Sequence, residues 1–90
     1  MSEVIDYNFK LALENIKSIV NKINTTEKTF LYKYYKQATY GDVNIPKPTG
    51  LFNIIDKQKW EAWSSIKGTD IIAAKKIYTD FVNDLFIKYK

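Results

Sequence analysis

The sequence predicts an all-α domain of four helices with one long connection between the second and third. Three observations carry this. Apolar residues recur three or four apart over most of the 90 residues, the spacing that lines one face of a helix. Alternation with period two is confined to Val43-Asn44-Ile45, so strands are not expected. Pro46, Pro48 and Gly50 fall together near mid-chain, where they interrupt any regular helix.

The first helix is expected over about Ile5 to Lys22. Phe9, Ala12, Leu13, Ile16, Ile19, Val20 and Ile23 form its apolar stripe, with Lys10, Glu14, Lys17 and Asn21 off it. Asn24-Thr25-Thr26 is a polar break, with Thr26 as candidate N-cap and Glu27 in the first turn beyond it, where a carboxylate suits the helix dipole. The second helix runs over about Glu27 to Thr39 on Phe30, Leu31, Tyr34, Tyr35 and Ala38, and Gly41 stops it. Asp42 to about Ile54 is an ordered loop, its start fixed by Asp42 and Asn44 hydrogen-bonding to backbone. The third helix covers about Ile55 to Lys67, with Trp60, Trp63 and Ile66 at helical spacing and Gly68 as its end. Thr69 or Asp70 caps the fourth, which continues to about Tyr89 on Ala74, Ile77, Tyr78, Phe81, Leu85 and Phe86 or Tyr89. One domain over residues 1–90 is expected at this length.

Composition narrows the chemistry. There is no Cys and no His, so no thiolate nucleophile, no imidazole acid/base and no Cys/His zinc site can be built. No glycine-rich phosphate loop is present either, and an enzyme is the weakest of the functional classes. The start, Met1-Ser2-Glu3-Val4-Ile5-Asp6, has no apolar secretory core, and no apolar run approaches a membrane span. A cytoplasmic location follows as the expectation. The formal net charge is +4, and all fourteen basic residues are Lys. An ammonium attracts phosphate as a point charge, but the Arg fork that reads base edges is missing. A basic helical module for nucleic acid is therefore disfavoured; an interaction or generic lipid-binding module with an apolar groove is the alternative to a ligand carrier.

Two blocks carry a family resemblance. Tyr35-Lys36-Gln37-Ala38-Thr39-Tyr40-Gly41-Asp42, followed by Asn44 and Pro48, and then Lys59-Trp60-Glu61-Ala62-Trp63 with Lys67-Gly68-Thr69, resemble the acyl-CoA-binding proteins, whose pattern reads YKQAT-x-GD-x-N and K-W-x-A-W…K-G. Ala74 and Tyr78 in the last helix fit as well. The resemblance implies a four-helix up-down-down-up bundle that carries acyl-CoA, a ligand rather than a cofactor, and needs no metal. By position, Tyr32, Lys36, Lys59 and Tyr78 match the residues that hold the adenine and the ribose 3′-phosphate; Tyr35 lies in the same segment, and Lys17 matches a supporting basic position. Phe9, Ala12, Leu13 and Leu31 are candidates for the acyl-chain groove, although Phe9, Leu13 and Ile16 suit a core equally well. The implied partners are long-chain acyl-CoA, acyl-CoA-using enzymes and transient contact with a membrane surface, with no nucleic acid, and a monomer is the default.

Elementary chemistry agrees with these positions. Tyr32 and Lys36 are four apart on one helix and Tyr35 is one step from Tyr32, so the three can serve one ligand. A phenol stacks on adenine with its ring and donates with its hydroxyl. Lys10, Lys22, Lys28, Lys33, Lys75, Lys76 and Lys88 are expected in solvent, and Trp60 and Trp63 in the core. The chain departs from the family pattern in its loop, where Thr49 separates Pro48 from Gly50 and Leu51-Phe52-Asn53-Ile54-Ile55 is unusually apolar. Leu51, Phe52 and Ile54 are expected to help cover the acyl tail.

Overall fold

The computed structural model describes residues 2–51 and 53–90. Its helices are α1 (Ser2–Asn15), α2 (Thr25–Tyr40), α3 (Ile54–Ser64) and α4 (Ile71–Tyr89), and a 3-10 turn, Ile16–Ser18, extends α1. No strand occurs among the described residues.

Contacts give the helix directions. Asp6 meets Lys75 and Phe9 meets Tyr78, so α1 and α4 run parallel. Glu27 meets Lys88, whereas Gln37, ten residues on, meets Thr69, so α2 runs against α4. Lys59 stands over Tyr32 and Trp63 lies beside Tyr40, so α3 runs with α2. The order is up-down-down-up. α4 packs on both α1 and α2, and α3 packs on α2.

The core sits between α1, α2 and α4: Phe9, Ala12, Ile19, Ile23, Leu31, Ala38, Ala74, Tyr78, Val82 and Leu85. On α4 the seam is Ala74, Tyr78, Val82 and Leu85, whereas Ile77 and Phe81 are only half-buried. Val82, absent from the predicted stripe, is completely enclosed, because α4 is gripped on two sides and its buried arc is centred one position further on. Val20, placed in the stripe of the first helix, is 41% exposed. The cause is the early end of α1. Ser18 Oγ donates to the Asn15 carbonyl at 2.9 Å, a local bond that competes with the helical ladder. The chain then leaves the helical path that Val20 needs to face inward.

Element starts are set by side-chain caps. The N-cap of α2 is Asn24, not Thr26: Asn24 Oδ1 accepts from the Glu27 N–H at 2.8 Å while Glu27 Oε1 accepts from the Asn24 N–H at 2.9 Å, a capping box. Asp70 caps α4, accepting from the Ile72 and Ala73 N–H groups. α3 ends at Ser64, three residues earlier than expected, where Ser65 Oγ donates back to the Ala62 carbonyl. Gly41 (φ 77°) and Gly68 (φ 92°) take left-handed turns that L side chains avoid, and Asp42 ties the two turns together. Its Oδ1 accepts from the Gly68 N–H at 2.8 Å and from Gln37 Nε2 at 2.9 Å, so its carboxyl is held below the usual carboxylate range, first by Gly68 and then by Gln37. Asn44, assigned the same job, is exposed and its side chain makes no hydrogen bond to the described residues.

Glu27 also locks α2 to the end of α4. Lys88 Nζ donates to its Oε2 at 2.7 Å and the Tyr89 hydroxyl to its Oε1 at 2.6 Å. These partners, Lys88 first, then Tyr89 and the Asn24 N–H, lower its carboxyl from about 4.5 to about 2. A folded-state value below the unfolded one stabilises the fold above about 4.5, and that contribution disappears as the pH falls toward about 2. Urea midpoints are therefore expected to fall more steeply over that interval in the wild type than in Glu27→Gln, with Asp42 and the exposed Glu14, lowered by Lys17, contributing to the remaining slope. Equal slopes would contradict this role for Glu27.

Candidate functional site

The YKQAT segment lies on α2, between α4 behind and α3 beside it. Lys36 and Lys59 converge there from two helices. Lys36 Nζ stands 5.9 Å from the Tyr32 ring, 5.4 Å from Trp63 and 4.7 Å from Tyr40, and Lys59 Nζ stands 5.4 Å from the Tyr32 ring. Among the described residues neither ammonium is in an ion pair, although four other lysines are. Two ammonium groups outside any ion pair, beside one phenol, make a receptor for an anion.

Three concavities follow the same face of α2 and share tyrosines at their borders. One, of about 220 Å³, is lined by Tyr32, Ile45, Pro48, Asp56, Lys59, Trp60 and Trp63. The next, of about 240 Å³, is lined by Ile16, Val20, Ile23, Lys28, Leu31, Tyr32, Tyr35 and Tyr78. The largest, about 420 Å³, is lined by Asp6, Phe9, Lys10, Leu13, Tyr35, Ala38, Thr39 and Lys75. Tyr32 borders the first two and Tyr35 the last two, so polar and apolar walls are continuous. Burial raises the Tyr32 phenol, with Asp56 adding to the effect. Burial, with a smaller contribution from Tyr35, pushes Tyr78 up to about 12. Both rings remain neutral hydrogen-bond donors near neutral pH. The Tyr78 ring is fixed edge-on against Phe9, centroids 5.2 Å apart, and lies 6.5 Å from Tyr35.

The structure thus brings Tyr32, Tyr35, Lys36, Lys59 and Tyr78 together. Lys17 stands apart: its ammonium is in solvent, paired with Glu14 at 2.7 Å. Such an exposed pair is weak and leaves Lys17 able to exchange Glu14 for a stronger anion. Phe9 and Leu31 belong to the core yet, with Leu13, line concavities, whereas Ala12, 2% exposed, lines none of the three. Leu51 and Ile54 point into solvent and line none of these three concavities; Phe52 lies outside the described residues.

Some residues expected in solvent are at the site. Lys28 lines the middle concavity, and Lys10 and Lys75 line the largest. Lys75 is half-buried and bridges α4 to Asp6 on α1 at 2.6 Å. Its spacing alone could not show this, because the partner is 69 residues away. Lys33 is half-buried too, 5.2 Å from the Phe30 ring. Trp60, expected in the core, is half-buried, and its Nε1 donates to the Ile45 carbonyl at 2.7 Å, pinning the loop against α3.

Comparison with known proteins accords with this arrangement. The family profile described as "Acyl CoA binding protein" matches residues 6–82. The acyl-CoA-binding protein of Saccharomyces cerevisiae is 41% identical over 81 residues, covering 90% of this chain and 92% of the relative. An acyl-CoA-binding protein homolog from Drosophila melanogaster is 38% identical over 86 residues, covering 96% and 99%. Among solved structures, Oryza sativa acyl-CoA-binding protein 2 superposes with a TM-score of 0.87 at 33% identity, covering 94% of this chain and 93% of that one. The protein from Moniliophthora perniciosa gives 0.83 at 36% identity, covering 92% and 81%. A profile match across most of the chain, relatives of near-equal length and the same four-helix order place this chain in the acyl-CoA-binding protein family.

Proposed function

We propose that this chain binds medium- to long-chain acyl-CoA thioesters through one domain spanning residues 1–90, and acts as a cytoplasmic carrier and pool former with no chemistry of its own. The observation that carries the reading is the convergence of Lys36 and Lys59, unpaired among the described residues, on Tyr32, at the border of two concavities. The ammonium pair suits the ribose 3′-phosphate, and Tyr32, Tyr35 and Tyr78 suit the adenine and its hydroxyl-bearing neighbours. Phe9, Leu13 and Leu31 supply apolar wall for the tail, and Lys17 stands ready on the rim. The sequence offers no Cys or His to attack the thioester, so the ligand leaves as it arrived. Handing it to acyl-CoA-using enzymes, and exchanging it at a membrane surface, follow from carriage of an amphiphile.

Lys36→Ala tests the head-group site. A charge-assisted hydrogen bond contributes about 1.5–3 kcal/mol, so palmitoyl-CoA affinity is expected to fall roughly ten- to a hundredfold, while the far-ultraviolet circular dichroism stays helical. Unchanged affinity in a folded variant would remove the ammonium pair from the site.

A further inference from the structure

Tyr40 is the last residue of α2 and stands one turn beyond Lys36. It is 56% exposed and lines none of the three concavities. Yet its ring is the nearest of three around the Lys36 ammonium, at 4.7 Å against 5.4 Å for Trp63 and 5.9 Å for Tyr32. No other lysine has three rings about it among the described residues. The closest contact follows from spacing, because residues four apart on a helix share a face. Trp63 backs the group. It is 2% exposed and anchored through Nε1–H to the Gly41 carbonyl at 2.9 Å, and the Tyr40 ring leans toward it with centroids 6.4 Å apart. Tyr40 is thus the most exposed of the three rings. The carboxylate six residues beyond Lys36 does not compete for the ammonium: Asp42 is engaged by the Gly68 N–H and by Gln37.

We infer that Tyr40 is a positioning residue for the ligand's phosphate: its ring, with Trp63 behind it, holds the Lys36 ammonium ready for the ribose 3′-phosphate and does not itself touch the ligand. A carboxylate partner would hold the ammonium but neutralise it. A ring face attracts the cation and leaves its charge and N–H donors for an incoming anion. A free lysine stem also loses rotamer freedom when it binds, and restraint beforehand removes part of that cost. The inference rests on the acyl-CoA reading, which gives the phosphate to Lys36.

Palmitoyl-CoA and palmitoyl-3′-dephospho-CoA differ only in that phosphate, so the ratio of their affinities for the full chain isolates it. The wild type is expected to prefer palmitoyl-CoA by about tenfold or more. Tyr40→Leu keeps an apolar side chain beside Trp63 but removes the ring. It is expected to bind palmitoyl-CoA about two- to fivefold more weakly, with its affinity for the dephospho thioester unchanged. Tyr40→Phe keeps the ring and is expected to match the wild type. An equal loss for both thioesters in Tyr40→Leu would make Tyr40 a direct contact or a purely structural residue and overturn the inference. So would a Tyr40→Phe as weak as Tyr40→Leu, which would assign the effect to the hydroxyl. A wild-type ratio kept in Tyr40→Leu would remove the inference and leave the phosphate site standing. A wild type that binds both thioesters equally, or neither, would remove the phosphate reading of Lys36 and the role of Tyr40 with it.

Discussion

Octanoyl-CoA is expected to bind about a hundredfold more weakly than palmitoyl-CoA. The two share every head-group contact and differ by eight methylenes. Each buried methylene contributes about 0.8 kcal/mol, so complete enclosure would separate them by roughly 6 kcal/mol. The walls are not closed: Val20 is 41% exposed and Tyr35 36%. Burial of about half the tail leaves about 3 kcal/mol, which is about two orders of magnitude in Kd. Competition of the two thioesters against one fluorescent acyl-CoA reads the difference directly. A flat profile from acetyl to palmitoyl would mean that the apolar walls of Phe9, Leu13 and Leu31 are core surface and not groove.

Trp63→Ala is expected to be the most damaging single change to the fold. Trp63 is 2% exposed, and its indole links three elements. It packs from α3 against α2, lies 6.4 Å from the Tyr40 ring and donates Nε1–H to the Gly41 carbonyl at 2.9 Å. That bond holds the left-handed turn that ends α2 and begins the loop. Removing a buried Trp side chain costs about 3–5 kcal/mol, a large part of the roughly 5–15 kcal/mol of a small domain. Trp63→Phe separates the two contributions. It keeps most of the packing and loses the hydrogen bond, for about 1 kcal/mol or somewhat more with the Gly41 carbonyl left unpaired. Urea midpoints should therefore order wild type, Trp63→Phe, Trp63→Ala. A Trp63→Ala midpoint close to wild type would show that α3 contributes little to the fold.

Much of this architecture is legible in the sequence. The apolar stripes of α1, α2 and α4 are periodic, and the proline-bearing loop is punctuated by residues whose backbone chemistry admits few alternatives. Gly41 marks the end of α2 for the same reason, whereas Gly68, expected to end α3, turns the connection four residues beyond Ser64. Boundaries are less legible because they are decided by competing local bonds. Thr26 and Asn24 are both good caps, and only the reach of Asn24 to Glu27 settles between them. Ser18 and Ser65 shorten helices that periodicity alone would continue. Of the site, the positions matching the family pattern are readable because pattern and helical spacing agree. Lys75 at the site is not, nor is Lys88 in the lock between α2 and α4, since their partners Asp6 and Glu27 are more than sixty residues away and a lysine's surroundings cannot be read from its neighbours in sequence. Gln37 is the clearest omission. It is 1% exposed and joins α2 to Asp42 and to the Thr69 carbonyl, so the glutamine of the YKQAT segment braces the turns that hold the site.

The central claim is that one site reads both ends of its ligand, the phosphate-bearing nucleotide through Lys36, Lys59 and the tyrosines, and the tail through the apolar walls. Parallel calorimetric titrations of the full chain with palmitoyl-CoA, palmitate and CoA test it most directly. Tight one-to-one binding of palmitoyl-CoA, far stronger than either fragment, is the predicted result. Binding of palmitoyl-CoA no tighter than of free palmitate would contradict it, removing the head-group site and leaving a generic lipid-binding helical module.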